Sequence, residues 1–415
     1  MKRACAAITT IILMLSLFSG CTGNGAPATS VLPTASIVET QTASATPSPT
    51  PSLLPTLTPT PTPTPIATLE PTLEPTLEPT PTPEPEDPKP ETVMVSSYGD
   101  KTVIKFADAQ VEAAIRKILG KAKEKITAAD MLDITEFKYD ANNDKSLKKR
   151  IRTLDDLRFC ENLETITISN QPLIKNIKGL QKLKNLTSIT LFSCGISDLK
   201  PLAGKQFLRS VWISGNPVSD ASPVLSLPNL EYFNAWWGTN IKDISALKKT
   251  HNLLSFYCQN KLKDYSPLLG HKDMMDISLL GITNKDFVAM LGSFKYLRNI
   301  ILESSTIQDS SLKLLKDYNL YGLTLNRCGI KDISALSCLT TVQDLRLTDN
   351  KITDISALSE LTQIGYCLDL RNNKIKDFKP LKNMSVLQSL WVTGNPYKDT
   401  SVFKTLEGYG CSVIR

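Results

Sequence analysis

The chain has 415 residues, 41% of them hydrophobic, and a formal net charge of +6. This length and hydrophobic content are enough for a large folded core, which excludes a wholly disordered protein. The sequence contains only two histidines, and it lacks the motifs of P-loop nucleotide-binding proteins, serine hydrolases and zinc proteases. It therefore does not indicate an enzyme, and we predict no catalytic residue, cofactor or metal site.

Residues 1–20 have the pattern of an export signal. A basic start precedes an apolar run from Ile8 to Phe18, which is too short to span a bilayer comfortably. The small residues directly before Cys21 resemble the lipobox of bacterial lipoproteins, in which that cysteine carries a diacylglyceryl group. The resemblance implies a lipid anchor at Cys21 on the extracellular face of the plasma membrane. The alternative is an ordinary secretory signal followed by an incidental cysteine.

Residues 21–92 contain the predicted lipidation site and a stalk rich in proline and threonine. The part from 26 to 92 holds 18 of the 26 prolines, including a TPTPTPTP tract at 58–65. This composition favours extended polyproline II and supplies little that can be buried. At about 3.1 Å per residue the segment reaches roughly 200 Å. We therefore predict a disordered spacer that holds the folded part away from the membrane.

Charge divides the chain at the same place. Residues 26–92 carry a net charge of −7, and residues 93–415 carry +11. A basic surface attracts anionic partners, which at a bacterial surface are wall polymers or acidic proteins rather than nucleic acid. The alternative is that these lysines only keep a secreted protein soluble.

Residues 93–162 are predicted to form an N-terminal cap region. Apolar residues from Ala107 to Leu119 have helical spacing, and Thr127 followed by Asp130 resembles a capping box. A stacked array needs such a cap, because its first coil would otherwise expose its core.

Residues 163–415 contain a repeat of about 22 residues. Each copy reads L-x-L-x-x-N-x-I and then x-D-I-x-x-L, most clearly from LRLTDNKI at 345–352 onward. In L-x-L a strand buries alternate residues, and one coil cannot bury its own apolar face, so the coils stack. We predict an α/β solenoid of about eleven repeats with a C-terminal cap. It is a leucine-rich-repeat horseshoe with short parallel strands on the concave face and an N-terminal helical cap.

This repeat resembles the internalin-type leucine-rich repeats of Gram-positive surface proteins. The sequence VIKFADAQVEAAIRKILGKAKEKITAADMLDIT at 103–135 likewise resembles the helical cap that precedes such arrays. The resemblance covers roughly residues 103–415. It implies that the concave face recognises a macromolecule without catalysis, and it does not name the partner.

The recurring aspartates and most cysteines are predicted to be structural. One aspartate per coil is placed to cap the turn that follows its strand. Cys194 and Cys328 stand where other coils have asparagines such as Asn216 and Asn350, which close the backbone ladder between coils. A thiol at that position is a small buried donor.

Two octapeptides place tryptophan in the middle of a strand. They are SVWISGNP at 210–217 and SLWVTGNP at 389–396. Trp212 and Trp391 each stand between two aliphatic residues, so strand alternation turns both tryptophans outward onto the concave face.

These positions predict two candidate binding patches. Parallel strands lie about 4.8 Å apart, so aromatic residues of neighbouring coils come together. We predict one aromatic strip across four coils, formed by Phe192, Trp212, Trp236 and Tyr257. Eight coils further on, at about 38 Å by the same spacing, we predict a second patch formed by Arg346, Asp369, Arg371 and Trp391.

Two functions fit these features. The first is a surface-displayed module that binds a protein, whose contact surface combines aromatic residues with complementary charge. The second is a glycan-binding solenoid, which depends mainly on the aromatic rings and tolerates salt. A pure spacer would not explain the clustered aromatics. We expect a capped solenoid of either kind to be monomeric.

Overall fold

The computed structural model describes residues 90–140 and 149–415. The predicted signal peptide, Cys21 and the stalk up to residue 89 lie outside the described residues. Within the described ranges, no helix is both long and apolar enough to cross a membrane.

The N-terminal cap consists of helix α1 (Ala109–Leu119), the short helix α2 (Ala128–Met131) and strand β1 (Glu136–Asp140). Helix α1 starts at Asp108, whose carboxylate accepts hydrogen bonds from the first free backbone N–H groups. It ends at Gly120, which has a left-handed φ of 67°. The predicted capping box at Thr127 and Asp130 is confirmed at the start of α2.

Two buried aspartates fasten the cap to the first coil. Asp108 Oδ2 accepts the backbone N–H of Arg152 at 2.6 Å. In return, the Asp156 carboxylate accepts the N–H groups of Ala107 and Asp108. Because backbone N–H groups of one element end on the carboxylate of the other, the cap and the array share their polar satisfaction.

Twelve further strands follow β1 in the described part of the chain. They pair in parallel and in strict chain order, with no crossover. The strands are β2 (Thr165–Ser169), β3 (Ser188–Phe192), β4 (Ser210–Trp212), β5 (Tyr232–Ala235), β6 (Ser255–Cys258), β7 (Asp276–Leu280), β8 (Asn299–Glu303), β9 (Gly322–Asn326), β10 (Asp344–Arg346), β11 (Cys367–Asp369), β12 (Ser389–Trp391) and β13 (Ser412–Ile414). This confirms the predicted leucine-rich-repeat solenoid, with β2 to β12 as its eleven central strands.

Strand alternation separates the core from the concave face. In β9, Leu323 and Leu325 are completely buried, whereas the residues on either side of them are half-buried. Burying one such leucine stabilises the fold by about 1.5–3 kcal/mol. The same alternation in every coil produces one continuous apolar core along the array.

The return segments on the convex side are mostly short 3₁₀ helices. They span Asp155–Phe159, Lys178–Leu180, Lys200–Leu202, Ser245–Lys249, Ser266–Gly270, Asp309–Asp317, Ser334–Cys338, Ser356–Glu360 and Lys379–Leu381. Three coils have α-helices instead: α3 (Ser222–Leu225), α4 (Asn284–Ser293) and α5 (Ser401–Gly408). At the C-terminal end, Phe403 of α5 packs on Phe378 and Tyr397, with ring centroids 5.2 and 5.1 Å away.

The recurring aspartates have the predicted capping role. In each case Oδ1 accepts the backbone N–H two residues later, at 2.8–2.9 Å, and so starts the convex turn. The eight residues are Asp198, Asp220, Asp243, Asp264, Asp332, Asp354, Asp377 and Asp399. Between Asp264 and Asp332 the motif is lost because α4 starts with a different device, a capping box of Thr283 and Asp286.

Buried asparagines join each coil to the one before it. Asn350 Nδ2 donates to the carbonyls of Leu325 and Leu347, while its Oδ1 accepts the N–H groups of Cys328 and Ile330. Asn216 makes the same set of bonds further back in the array. The thiol of Cys328, at the equivalent place one coil earlier, lies 3.3 Å from the Asn326 carbonyl. This agrees with the predicted structural role of the cysteine.

Replacing Asn350 by alanine is expected to weaken this ladder strongly. The change leaves two donors and two acceptors without a partner in a dry core, and each such group costs about 1–3 kcal/mol. Urea denaturation followed by circular dichroism should therefore give a loss of several kcal/mol. The matched control is Asn252→Ala on an exposed return segment. Equal midpoints for the two variants would contradict the ladder role.

Candidate functional site

The strand register arranges the outward side chains in rows across the concave face. The first row contains the residue before each central buried position, and the central row contains the residue after it. Through β4 to β7 the first row reads Ser210, Tyr232, Ser255, Asp276, and the central row reads Trp212, Asn234, Tyr257, Ser278. Through β10 to β12 the central row reads Arg346, Asp369, Trp391.

Trp212 and Trp391 both lie in the central row and are half-buried. Val211 and Leu390, the core residues beside them, are completely buried. The indole Nε1 of Trp391 donates to Ser389 Oγ at 2.8 Å, which fixes the orientation of the ring.

The predicted strip of four aromatics is wrong in two respects. Tyr257 is only 2% exposed, because side chains of adjacent coils cover this part of the face, where Ser255 and Ser278 are buried as well. Phe192 has its ring contact with Trp237, not with Trp212. Trp212 and Trp236 are half-buried, as an outward position requires.

Trp237 is a surface residue that the sequence pattern did not identify as part of the site. It is 45% exposed, and its ring meets that of Phe192 edge-on with centroids 5.4 Å apart. The two residues belong to coils two apart, and Gly215 of the coil between them leaves the space. A Cβ on Gly215 would lie 2.9 Å from Trp237 Cη2. The available signal was the glycine in each turn. We name Phe192, Trp212, Trp236 and Trp237 the aromatic patch.

The second predicted patch does come together. Arg371 forms a two-pronged ion pair with Asp369, with Nε–Oδ1 at 2.9 Å and Nη2–Oδ2 at 2.6 Å. The same guanidinium lies over the ring of Trp391, 4.6 Å from its centroid. Arg346, next to Asp369 in the central row, is held in the same manner by Asp344 at 2.7 and 2.9 Å. We name Arg346, Asp369, Arg371 and Trp391 the arginine–tryptophan patch.

The ion pairs shift the protonation equilibria of both arginines upward. Hydrogen bonding to Asp369 is the largest cause that raises the pKa of Arg371. Burial lowers the pKa of Arg346, but the hydrogen bonds and charge of Asp344 outweigh it and the net shift is upward. Both guanidinium groups therefore stay charged and stay in place at any pH at which the protein is folded.

A tyrosine pair lies beside this patch at the edge where the strands begin. Tyr321 and Tyr366 precede β9 and β11, and their ring centroids are 5.9 Å apart. Tyr366 is 48% exposed. Burial, followed by the adjacent Tyr366 hydroxyl, raises the pKa of Tyr321. Sequence reasoning missed this pair, because neither tyrosine lies within the L-x-L pattern.

The first row contains a buried carboxylate, Asp276, which is 5% exposed. Asn299 Nδ2 donates to its Oδ1 at 2.6 Å. Burial raises the pKa of Asp276 to about 6, although the Asn299 hydrogen bond and the charge of the exposed Arg298 act in the opposite direction. Its charge in turn contributes to the raised pKa values of Tyr232 and Tyr257, for which burial is the largest cause. The three side chains therefore lie close together.

The fold is similar to that of two solved structures from Listeria monocytogenes. The internalin inlF is 24% identical in sequence with a TM-score of 0.56, and the match covers 74% of this chain and 95% of that chain. The functional domain of InlJ, which includes a cysteine ladder, is 15% identical with a TM-score of 0.50, and the match covers 72% of this chain and 63% of that chain. No protein-family model and no curated protein sequence matches. The chain has an internalin-like leucine-rich-repeat fold.

Gly215→Ala is expected to move Trp237 away from Phe192. The added Cβ meets Ser193 Oγ at 2.5 Å as well as the indole, and φ at this glycine is +77°. Gly204 is a matched control, because its φ is +70° but nothing lies within 4 Å of its Cβ position. Gly204→Ala should cost only the backbone strain of about 1–2 kcal/mol. Gly215→Ala should cost more and should also change the tryptophan fluorescence spectrum. Equal effects would contradict the packing of Trp237 over Gly215.

Asp276 is expected to make stability depend on pH between about 4 and 6. Its pKa is about 6 in the folded protein and close to 3.8 in the unfolded chain, so the folded state binds the proton more tightly. The contribution is fully present below about pH 4, and it is lost as pH rises through 6. Each unit of pKa shift corresponds to about 1.4 kcal/mol. Asp276→Asn should therefore gain stability relative to the wild type between pH 4 and pH 7 in urea denaturation. A difference that is constant with pH would contradict the assignment.

Proposed function

We propose that residues 93–415 form a non-catalytic recognition module that binds a protein partner through the concave face, with the arginine–tryptophan patch as the main contact. The observation that carries the proposal is the arrangement of Arg371, which is locked by Asp369 and stacked on Trp391. The export signal and Cys21 support display of a monomer on a lipid anchor and a stalk, outside the cell.

The residue types and their rigidity favour protein recognition. Tryptophan, tyrosine and arginine are the side chains that most often dominate the energy of protein interfaces. Immobilising a flexible side chain at an interface costs about 0.5–1.5 kcal/mol. Arg371 and Arg346 are already fixed by carboxylates of their own strands, so this cost falls on folding rather than on binding.

The aromatic patch supports glycan binding as the second candidate function. Trp237 is the most exposed tryptophan described, and with Phe192 it forms a rigid aromatic surface apart from the arginine–tryptophan patch. Flat ring faces stack on sugar rings, and such contacts are weakly affected by salt. The two candidate functions therefore rest on different residues and can be tested separately.

The test uses the full chain in detergent micelles, immobilised on a biosensor surface. Purified surface and secreted proteins and purified wall polysaccharides are then passed over it one at a time. If the proposal holds, a protein binds saturably, and Trp391→Ala loses about 2 kcal/mol, roughly 30-fold in Kd. Arg371→Lys should also weaken binding, because lysine cannot form the two-pronged pair.

Trp237→Ala is the matched control, since it removes an indole from the aromatic patch and leaves the other patch intact. Its thermal unfolding and that of Trp391→Ala are compared first to show that both variants fold. A polysaccharide that binds and is lost only in Trp237→Ala would favour the second candidate function. Protein binding that is unchanged by Trp391→Ala and Arg371→Lys would overturn the assigned contact.

A further inference from the structure

The first row of the concave face contains a niche around a small residue. Tyr232, Ser255 and Asp276 are directly paired on β5, β6 and β7. With strands about 4.8 Å apart, the backbones of Tyr232 and Asp276 are roughly 10 Å apart, and only the serine side chain lies between them. Tyr257 follows Ser255 by two residues on the same face of β6. These four residues define the niche.

Asp276 is a buried carboxylate without a counter-ion. None of the ion pairs within the described ranges involves it, and its one described hydrogen bond comes from the neutral amide of Asn299. A buried charge that is not paired is costly, and proteins normally neutralise it or pair it. The raised pKa of Asp276 reflects this cost, since burial is its largest cause.

The hydroxyl of Tyr257 is a second group that lacks a partner. It is buried and has no hydrogen bond within the described part of the chain. Buried hydroxyls in native proteins nearly always have a partner in the protein, in ordered water or in a ligand. Asp276 acts on this hydroxyl electrostatically, so the free hydroxyl and the uncompensated carboxylate belong to the same niche.

We infer that the niche formed by Tyr232, Ser255, Tyr257 and Asp276 binds a primary ammonium group, supplied by a lysine side chain of the protein partner. The inference rests on the proposed function only for the source of the lysine. The ammonium provides the positive charge that Asp276 lacks. Its three N–H donors match the oxygens of the carboxylate, the phenol and the serine.

The two tyrosines favour an ammonium over a neutral hydroxyl ligand. The face of a phenol ring attracts cations, with a gain of about 0.5–2 kcal/mol that increases when water is excluded. A guanidinium fits less well, because its planar fork needs more space than one serine position leaves. Tyr232 and Asn299 are only half-buried, so the niche borders the open concave face.

The first experiment measures binding of n-butylammonium chloride, an analogue of the lysine side chain, to the full chain in detergent micelles. The thermal unfolding midpoint is followed at pH 7 as the ligand is titrated in the millimolar range at constant ionic strength. The neutral analogue n-butanol is the ligand control. The wild type should show a saturable rise with butylammonium that butanol does not reproduce. No rise, or an equal rise with butanol, would overturn the inference.

Variants assign the response to the niche. Asp276→Asn should abolish it, and Tyr257→Phe, which keeps the ring, should weaken the apparent affinity several-fold. Asp273→Asn, an exposed aspartate three residues earlier, should respond like the wild type. Butylammonium should also bind less tightly at pH 5 than at pH 7, since protonation of Asp276 removes the charge. An unchanged response in both Asp276→Asn and Tyr257→Phe would overturn the inference.

This test and that of the proposed function fail separately. Butylammonium binding needs no protein partner, so its absence leaves the effect of Trp391→Ala untouched. Conversely, a niche that binds butylammonium in a protein without any detectable protein partner would retain the cation site and remove only the lysine as its source.

Discussion

The hydrogen-bonded ladder between successive coils is the interaction on which the rest of the structure depends. Strand amides pair from coil to coil, and at each turn a buried asparagine such as Asn350 satisfies donors and acceptors of two coils at once. Each coil contributes an apolar edge that is stable only when the next coil covers it. The spacing between coils is therefore constant, and residues about 22 positions apart become neighbours on the concave face.

That regular lattice explains why the concave face holds charges in such different states. In the arginine–tryptophan patch, each arginine has a carboxylate two residues away on its own strand, so the pairs form whatever the adjacent coil contains. Asp276 has no arginine at that distance on β7, and its row neighbours are Ser255 and Asn299. The first patch is internally neutralised and rigid, whereas the niche keeps a charge that a partner can complete.

The fold was largely predictable because its signals are local. Coil length, the capping aspartates, the ladder asparagines and the start of α2 each depend on residues within one repeat. The degenerate coils between Asp264 and Asp332 were harder to assign, since α4 begins with Thr283 and Asp286 in place of the usual aspartate. The arginine–tryptophan patch was also predictable, because its members are two residues apart along a strand or directly paired in the register.

The aromatic patch and the niche were not predictable from the same pattern. Alternation indicates which residues point outward, but it does not indicate what covers them. Tyr257 points outward and is buried, whereas Trp237 lies after its strand and reaches Phe192 across Gly215.

The sequence by itself determined the number of coils, their stacking direction and the residues that face each side, because these follow from a period repeated along the chain. Only the tertiary structure decided which outward side chains are exposed, which rings meet and which charges lack a partner. Those outcomes depend on the volumes and charges of side chains one or two coils away. Such neighbours lie about 22 or 45 positions apart, so no local pattern records them.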